Sequence, residues 1–209
     1  MHHNSASSPA TPDGSFGSAQ HRRRFLKLAL LGGAALAGLT SFEESDALSA
    51  GGVSRAQDRR ILAFALLLED LKSAFYAEAL AHGKLDGELR RFAEVAGSHE
   101  RAHAARLRRA LGRHARPAPT FRFGKATRER AAFIATATEL EELAVAAYNG
   151  QAGNLTKKAL PAALEIVSVE GRHAAWIRAI ADEAPAPRAA DPGAGTAEVD
   201  AILKRLHVR

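Results

Sequence analysis

The chain contains no cysteine, which excludes disulfides, thiolate metal sites and iron–sulfur clusters. Aromatic residues are scarce, 6% of 209 residues, whereas 46% are hydrophobic and rich in Ala and Leu. That balance favours packed helices over a sheet. Two short stretches, around Phe121 to Phe123 and at the extreme C-terminus, are all that reads as extended. A long apolar run is also missing. The stretch from Leu28 to Leu39 is about 12 residues, short of the ~20 needed to cross a bilayer as a helix. Acidic charge is in deficit, with a formal net charge of +6. Residues 1–50 carry four basic and four acidic groups, so the excess belongs to the rest of the chain. Much of it is Arg101, Arg106, Arg108, Arg109 and Arg113, which alternate with apolar residues and read as a solvated helix face. No aromatics interleave with them, as a nucleic-acid surface would require. A polyanion or membrane-surface binder would rest on that charge alone.

The N-terminus reads as an address. Residues 1–20 are rich in Ser, Ala, Pro and Gly and are expected to be disordered. Arg22-Arg23-Arg24-Phe25-Leu26-Lys27 and the apolar run behind it resemble a twin-arginine export signal. The resemblance implies engagement of the twin-arginine export machinery and a periplasmic or otherwise extracytoplasmic location. Cleavage is expected near Ala47-Leu48-Ser49-Ala50. A retained anchor and a cytosolic protein with a basic N-terminus are the alternatives. The expected organisation is a disordered and signal segment over 1–50, one helical domain over 51–182, and a Pro/Gly-containing linker with a short helix over 183–209.

Two Glu-x-x-His pairs, Glu100-Arg101-Ala102-His103 and Glu170-Gly171-Arg172-His173, stand out in the domain. With 15 Glu and nine His, roughly 0.65 such pairs arise by chance, so number alone decides nothing. Their placement decides. Each follows a helical stretch carrying a Glu on its apolar stripe, Glu69 and Glu141, with 31 residues from Glu69 to Glu100 and 29 from Glu141 to Glu170. The only two tyrosines repeat as well: Tyr76 and Tyr148 each lie seven residues, about two turns, after those glutamates. Leu68-Glu69 with Ala74-Phe75-Tyr76 parallels Leu140-Glu141 with Ala146-Ala147-Tyr148. The chain therefore reads as an internal duplication whose shared part is four carboxylates and two imidazoles. Residues three apart share a helix face. A carboxylate-bridged pair of metal ions inside a four-helix bundle needs this inventory.

Apolar spacing predicts four helices. The first, from about Ser54 to His82, carries Leu62, Leu66, Glu69, Ser73, Tyr76 and Leu80 inward. The second, from Asp86 to about Leu111, carries Leu89, Phe92, Ala96, Glu100, His103, Leu107 and Ala110. A Pro-containing crossover near 112–126 leads to the third, which starts near Thr127, carries Ala131, Ile134, Thr138, Glu141, Val145 and Tyr148, and stops at Asn149-Gly150. The fourth, from Leu155 or Pro161 to Ala181, carries Ala163, Val167, Glu170, His173, Ile177 and Ile180. A lone buried carboxylate on such a stripe costs several kcal/mol, so each demands a partner. Glu142, Glu139 and Asp70 fall off the stripes. His99 is expected to face a neighbouring helix or solvent, and His82, His114 and His207 the surface. Trp176 is expected to pack the core.

The text from Ile61-Leu62-Ala63-Phe64-Ala65 through Glu69 to Tyr76, with His99-Glu100-Arg101-Ala102-His103, resembles the ferritin-like domain family, which includes desiccation-related proteins. So do Glu141 through Tyr148 and Val169-Glu170-Gly171-Arg172-His173-Ala174-Ala175-Trp176. The resemblance covers about residues 55–182. It implies an all-α, ferritin-like antiparallel four-helix bundle holding two iron or manganese ions. Glu100 and Glu170 would bridge the metals, Glu69 and Glu141 would be terminal carboxylates, and His103 and His173 terminal imidazoles. Tyr76 and Tyr148 would hydrogen-bond ligand carboxylates, donate single electrons, or simply close the ends of the core. Gly171 departs from a good helix former. It loosens the fourth helix or permits close packing. The implied activity is reaction with oxygen or peroxide, as ferrous-iron oxidation or peroxide breakdown. The alternative is a metal-sequestering or desiccation-protective bundle without turnover.

Overall fold

The computed structural model describes residues 53–205. The expected export signal and its cleavage region, together with Leu206 and His207, lie outside the described residues. Among the described residues there are five α-helices and no strand: α1 Arg55–Ala81, α2 Gly87–Leu111, α3 Arg130–Ala152, α4 Leu160–Ile180 and α5 Thr196–Arg205. Helix α1 starts where Ser54, in extended conformation, accepts a hydrogen bond from the Gln57 amide at 3.2 Å. Helix α2 ends at Gly112, and Pro161 sits in the first turn of α4, where its missing N–H costs nothing.

Side-chain pairings fix the topology. Along α1 and α2, Asp70 meets Arg108, Lys72 meets Glu100 and Tyr76 meets Phe92, so the two helices are antiparallel. Tyr76 meets Glu141 while Tyr148 meets Glu69, so α1 and α3 are antiparallel too. Phe92 meets Trp176 and Arg106 meets Glu165, which orients α4 against α2. Helices α2 and α3 therefore run the same way, and the connection over 113–129 must travel back along the bundle. It does so with two 3₁₀ turns, Gly112–His114 and Gly124–Thr127, and with Phe121 and Phe123 packed on the core. This is a four-helix bundle with one long crossover.

The interior holds two apolar clusters. One gathers Phe75, Phe92, Phe133 and Leu89 from one end of the bundle; Phe75 and Phe133 stack at 5.0 Å between ring centroids. The other gathers Ile61, Leu66, Leu107, Leu111 and Ile166. Along α2 and α4, Glu100 with His103 and Glu170 with His173 fall between the two.

Three local expectations are corrected. Helix α3 begins at Arg130, because Thr127 is drawn into a 3₁₀ turn where its hydroxyl bonds Glu78 Oε1 at 2.6 Å. Its first half turns a different face inward than expected, with Ala131 exposed and Phe133, Ala137 and Leu140 buried, while Glu141, Val145 and Tyr148 are buried as expected. It also runs past Asn149-Gly150 to Ala152, and Gly150 serves within it as a docking point. A Cβ built there would lie 2.0 Å from the Ala194 carbonyl oxygen, and the Ala194 amide bonds the Ala146 carbonyl at 2.8 Å. The Pro/Gly-containing linker is thus pinned to α3 at Ala194, and α5 behind it buries Val199 and Leu203.

Gly150→Ala should therefore prise this segment loose, at a cost of about 1–3 kcal/mol typical of overpacking. Limited proteolysis should show faster cleavage between residues 183 and 195 with bundle helicity unchanged. Cleavage at the original rate would refute the docking.

Candidate metal centre

Glu69, Glu100, Glu141 and Glu170 are all completely buried, and His103 and His173 are buried beside them. All six converge at the middle of the bundle, where they form two overlapping groups. Glu69, Glu100, His103 and Glu170 make one; Glu100, Glu141, Glu170 and His173 make the other. In each, one donor atom per residue lies within 4.8 Å of all the others. His103 Nδ1 stands 3.0 Å from Glu170 Oε1, 3.2 Å from Glu100 Oε2 and 3.7 Å from Glu69 Oε2. His173 Nδ1 stands 3.1 Å from Glu100 Oε1, 3.4 Å from Glu141 Oε2 and 4.0 Å from Glu170 Oε2. Glu100 and Glu170 thus give one oxygen to each group, while Glu69 and Glu141 belong to one group each.

The remaining oxygens of the unshared glutamates are held by tyrosines. Tyr148 donates to Glu69 Oε1 at 2.6 Å, and Tyr76 donates to Glu141 Oε1. Each tyrosine reaches across to the other half of the duplication. Tyr76 sits low enough to do so because Gly97 on α2 leaves room: a Cβ there would come within 2.9 Å of Tyr76 Cβ. Burial, and then the neighbouring carboxylates, push both phenols well above their usual pKa, so they are donors and not phenolates.

Lys72 was not singled out by the stripe, which ran through Ser73 instead. Only 1% exposed, it points into the cluster and touches all four carboxylates. Its Nζ lies 3.0 Å from Glu141 Oε2, 3.1 Å from Glu100 Oε1 and in close contact with Glu170 Oε2. Glu69 Oε2 is farther, at 3.9 Å. The signal was its spacing, three after Glu69 and four before Tyr76, on one helix face. His99 was set aside as a non-ligand; its ring stacks on His173, with Nδ1 2.9 Å from His173 Nε2. It thereby fixes which edge of His173 faces the carboxylates. Glu142 is exposed and pairs with Arg178 at 2.8 Å, and Asp70 pairs with Arg108 at 2.7 Å, so neither joins the cluster. Nothing lies within 4 Å of a Cβ placed at Gly171, and α4 runs unbroken through it, so close packing is not its purpose.

Electrostatically, the cluster is an excess of buried negative charge looking for cations. Burial raises the Glu69 carboxyl to about 7 despite the lysine beside it. Burial alone would lower both imidazoles, but the carboxylates outweigh it and hold His103 at about 11 and His173 at about 9. Five buried donor atoms, Glu69 Oε2, Glu100 Oε1, Glu141 Oε2, Glu170 Oε1 and His173 Nδ1, make no hydrogen bond of acceptable geometry. Several of these atoms do lie within ion-pair reach of Lys72 or a histidine. Buried atoms left in this state, all facing one point, fit a metal ion's needs better than a finished hydrogen-bond network. Carboxylates and imidazoles together are donors for divalent metal ions.

An all-helical bundle with a carboxylate–histidine cluster at its centre is the architecture of ferritin-like proteins. The ferritin-like domain model matches residues 57–183, and the chain belongs to that family. No curated protein matches the chain. No helix among the described residues is long and apolar enough to cross a membrane.

The raised imidazoles predict how the metal-free protein responds to pH. Their folded pKa values lie above the ordinary 6.5, so the stability they contribute is fully present below that pH and drains away toward about 9 and then 11. Raised Glu69 acts in the same direction through about pH 7. Thermal melts in chelator should show the melting temperature falling between about pH 6.5 and about pH 9. A flat or rising trend would contradict the pairing described.

Proposed function

We propose that the chain is an exported ferritin-like protein whose carboxylate–histidine cluster is a non-haem iron or manganese centre that reacts with oxygen or peroxide. The observation that carries this reading is the division of labour among the glutamates. Glu100 and Glu170 each present one oxygen to either histidine's group, while Glu69 and Glu141 serve one group apiece. A bound iron or manganese ion supplies single-electron chemistry at such a site. The protein's own part is to exclude water with the apolar clusters on either side and to hold the ligand oxygens in place. Tyr148 and Tyr76 fix Glu69 and Glu141 by hydrogen bonds, and His99 orients His173. A small apolar pocket lined by Leu62, Ala65, Leu68 and Tyr148 suits a small neutral reactant better than a charged one.

Sequestration or stress protection without turnover is favoured by one feature, the apolar packing at both ends of the centre, which slows exchange of whatever is bound. Oxygen uptake or peroxide loss by the loaded protein separates the two readings; a loaded protein inert to both supports storage.

Elemental analysis of protein purified from its own compartment should find iron or manganese. Glu100→Ala or Glu170→Ala should lose most of it, because each removes a ligand from both groups, whereas Glu142→Ala should keep it. Equal retention by all three variants would sink the assignment. Export is proposed on the Arg22-Arg23 pair. Replacing both by Lys should leave the protein in the cytoplasm, and unaltered export of that double variant would rule the signal out.

A further inference from the structure

Lys72 Nζ does not sit at random among the carboxylates. The three oxygens nearest it, Glu100 Oε1, Glu141 Oε2 and Glu170 Oε2, are the same three that face His173 Nδ1. The oxygens facing His103, namely Glu100 Oε2 and Glu170 Oε1, are not among its contacts, and Glu69 Oε2 is its most distant partner at 3.9 Å. The ammonium thus fills one of the two positions and leaves the other open. We propose that Lys72 is a built-in cation of this centre, holding the His173 position, so that the protein takes a single metal ion at Glu69, Glu100, His103 and Glu170.

Charge and sterics agree. Four carboxylates carry four negative charges, and Lys72 returns one. Two divalent ions beside it would leave the interior positive, whereas one divalent ion would not. A metal ion bound at roughly 2.0–2.2 Å from those carboxylate oxygens would need the space the ammonium occupies. Lys72 cannot easily withdraw, because it is 1% exposed and flanked on its own helix by the buried Leu68, Leu71, Phe75 and Tyr76. The duplication makes the same point. Glu69 and Tyr76 match Glu141 and Tyr148, but at the position of Lys72 the second half has Ala144. The extra cation stands on one side only.

This inference rests on the metal-centre reading and has its own test. The full chain, stripped of metal, is titrated with Mn(II) alone, with stoichiometry from elemental analysis and electron paramagnetic resonance as readouts. Wild type should take one equivalent and give the six-line signal of an isolated ion. Lys72→Met, and Lys72→Ala copying the second half, should take two and give the multiline signal of a spin-coupled pair. Two equivalents with a coupled signal in wild type would overturn the inference while leaving the metal centre standing, as would a variant that still takes only one. No binding by wild type or either variant would overturn the metal-centre reading itself. Should both variants fail to fold, the wild-type stoichiometry and signal decide alone.

Discussion

Four carboxylates without solvent in the middle of an apolar bundle are the constraint that the rest of this structure answers. Each would cost several kcal/mol if left unpaired. The neighbours are all of one kind: two tyrosine hydroxyls, two imidazoles and one ammonium, every one a donor or a cation. The apolar clusters at either side raise the stakes, since excluding water strengthens each pairing and makes each failure costlier. The bundle is therefore organised around an electrostatic demand that its own side chains meet only in part.

The topology determines which side chains can meet it. Because the crossover over 113–129 returns the chain to the starting end, α3 runs antiparallel to α1, and Glu69 faces Tyr148 while Glu141 faces Tyr76. A short turn between α2 and α3 would reverse α3 and carry each tyrosine to the wrong end. The crossover's length is thus part of the site, although none of its residues enters it.

Much of this was legible in the sequence because it is local. Ser54 caps α1, Gly112 ends α2, and glutamate–histidine spacing of three places both residues on one face. What was missed depends on distant partners. Lysine is by default a surface residue, so the stripe on α1 was drawn through Ser73; only glutamates from the three other helices make burial of Lys72 tenable. The face of the first half of α3 was misjudged because Ala131-Ala132-Phe133-Ile134-Ala135 is apolar nearly all round, which leaves little periodicity to read. The docking of Ala194 on Gly150 is a backbone contact, for which Pro- and Gly-rich text gives no signal.

The exchanged tyrosines also bear on how the two halves came to share one chain. A single helix pair carries a glutamate, a Glu-x-x-His unit and a tyrosine, yet that tyrosine cannot serve its own glutamate, which lies two turns away on the same helix. It would find a partner only in a second copy turned end for end. The two helix pairs of this one chain therefore meet as the two copies of an end-for-end homodimer would. Within one chain the two sides can differ, and position 72 is lysine where position 144 is alanine. A symmetric dimer would have had to place two lysines in the centre or none.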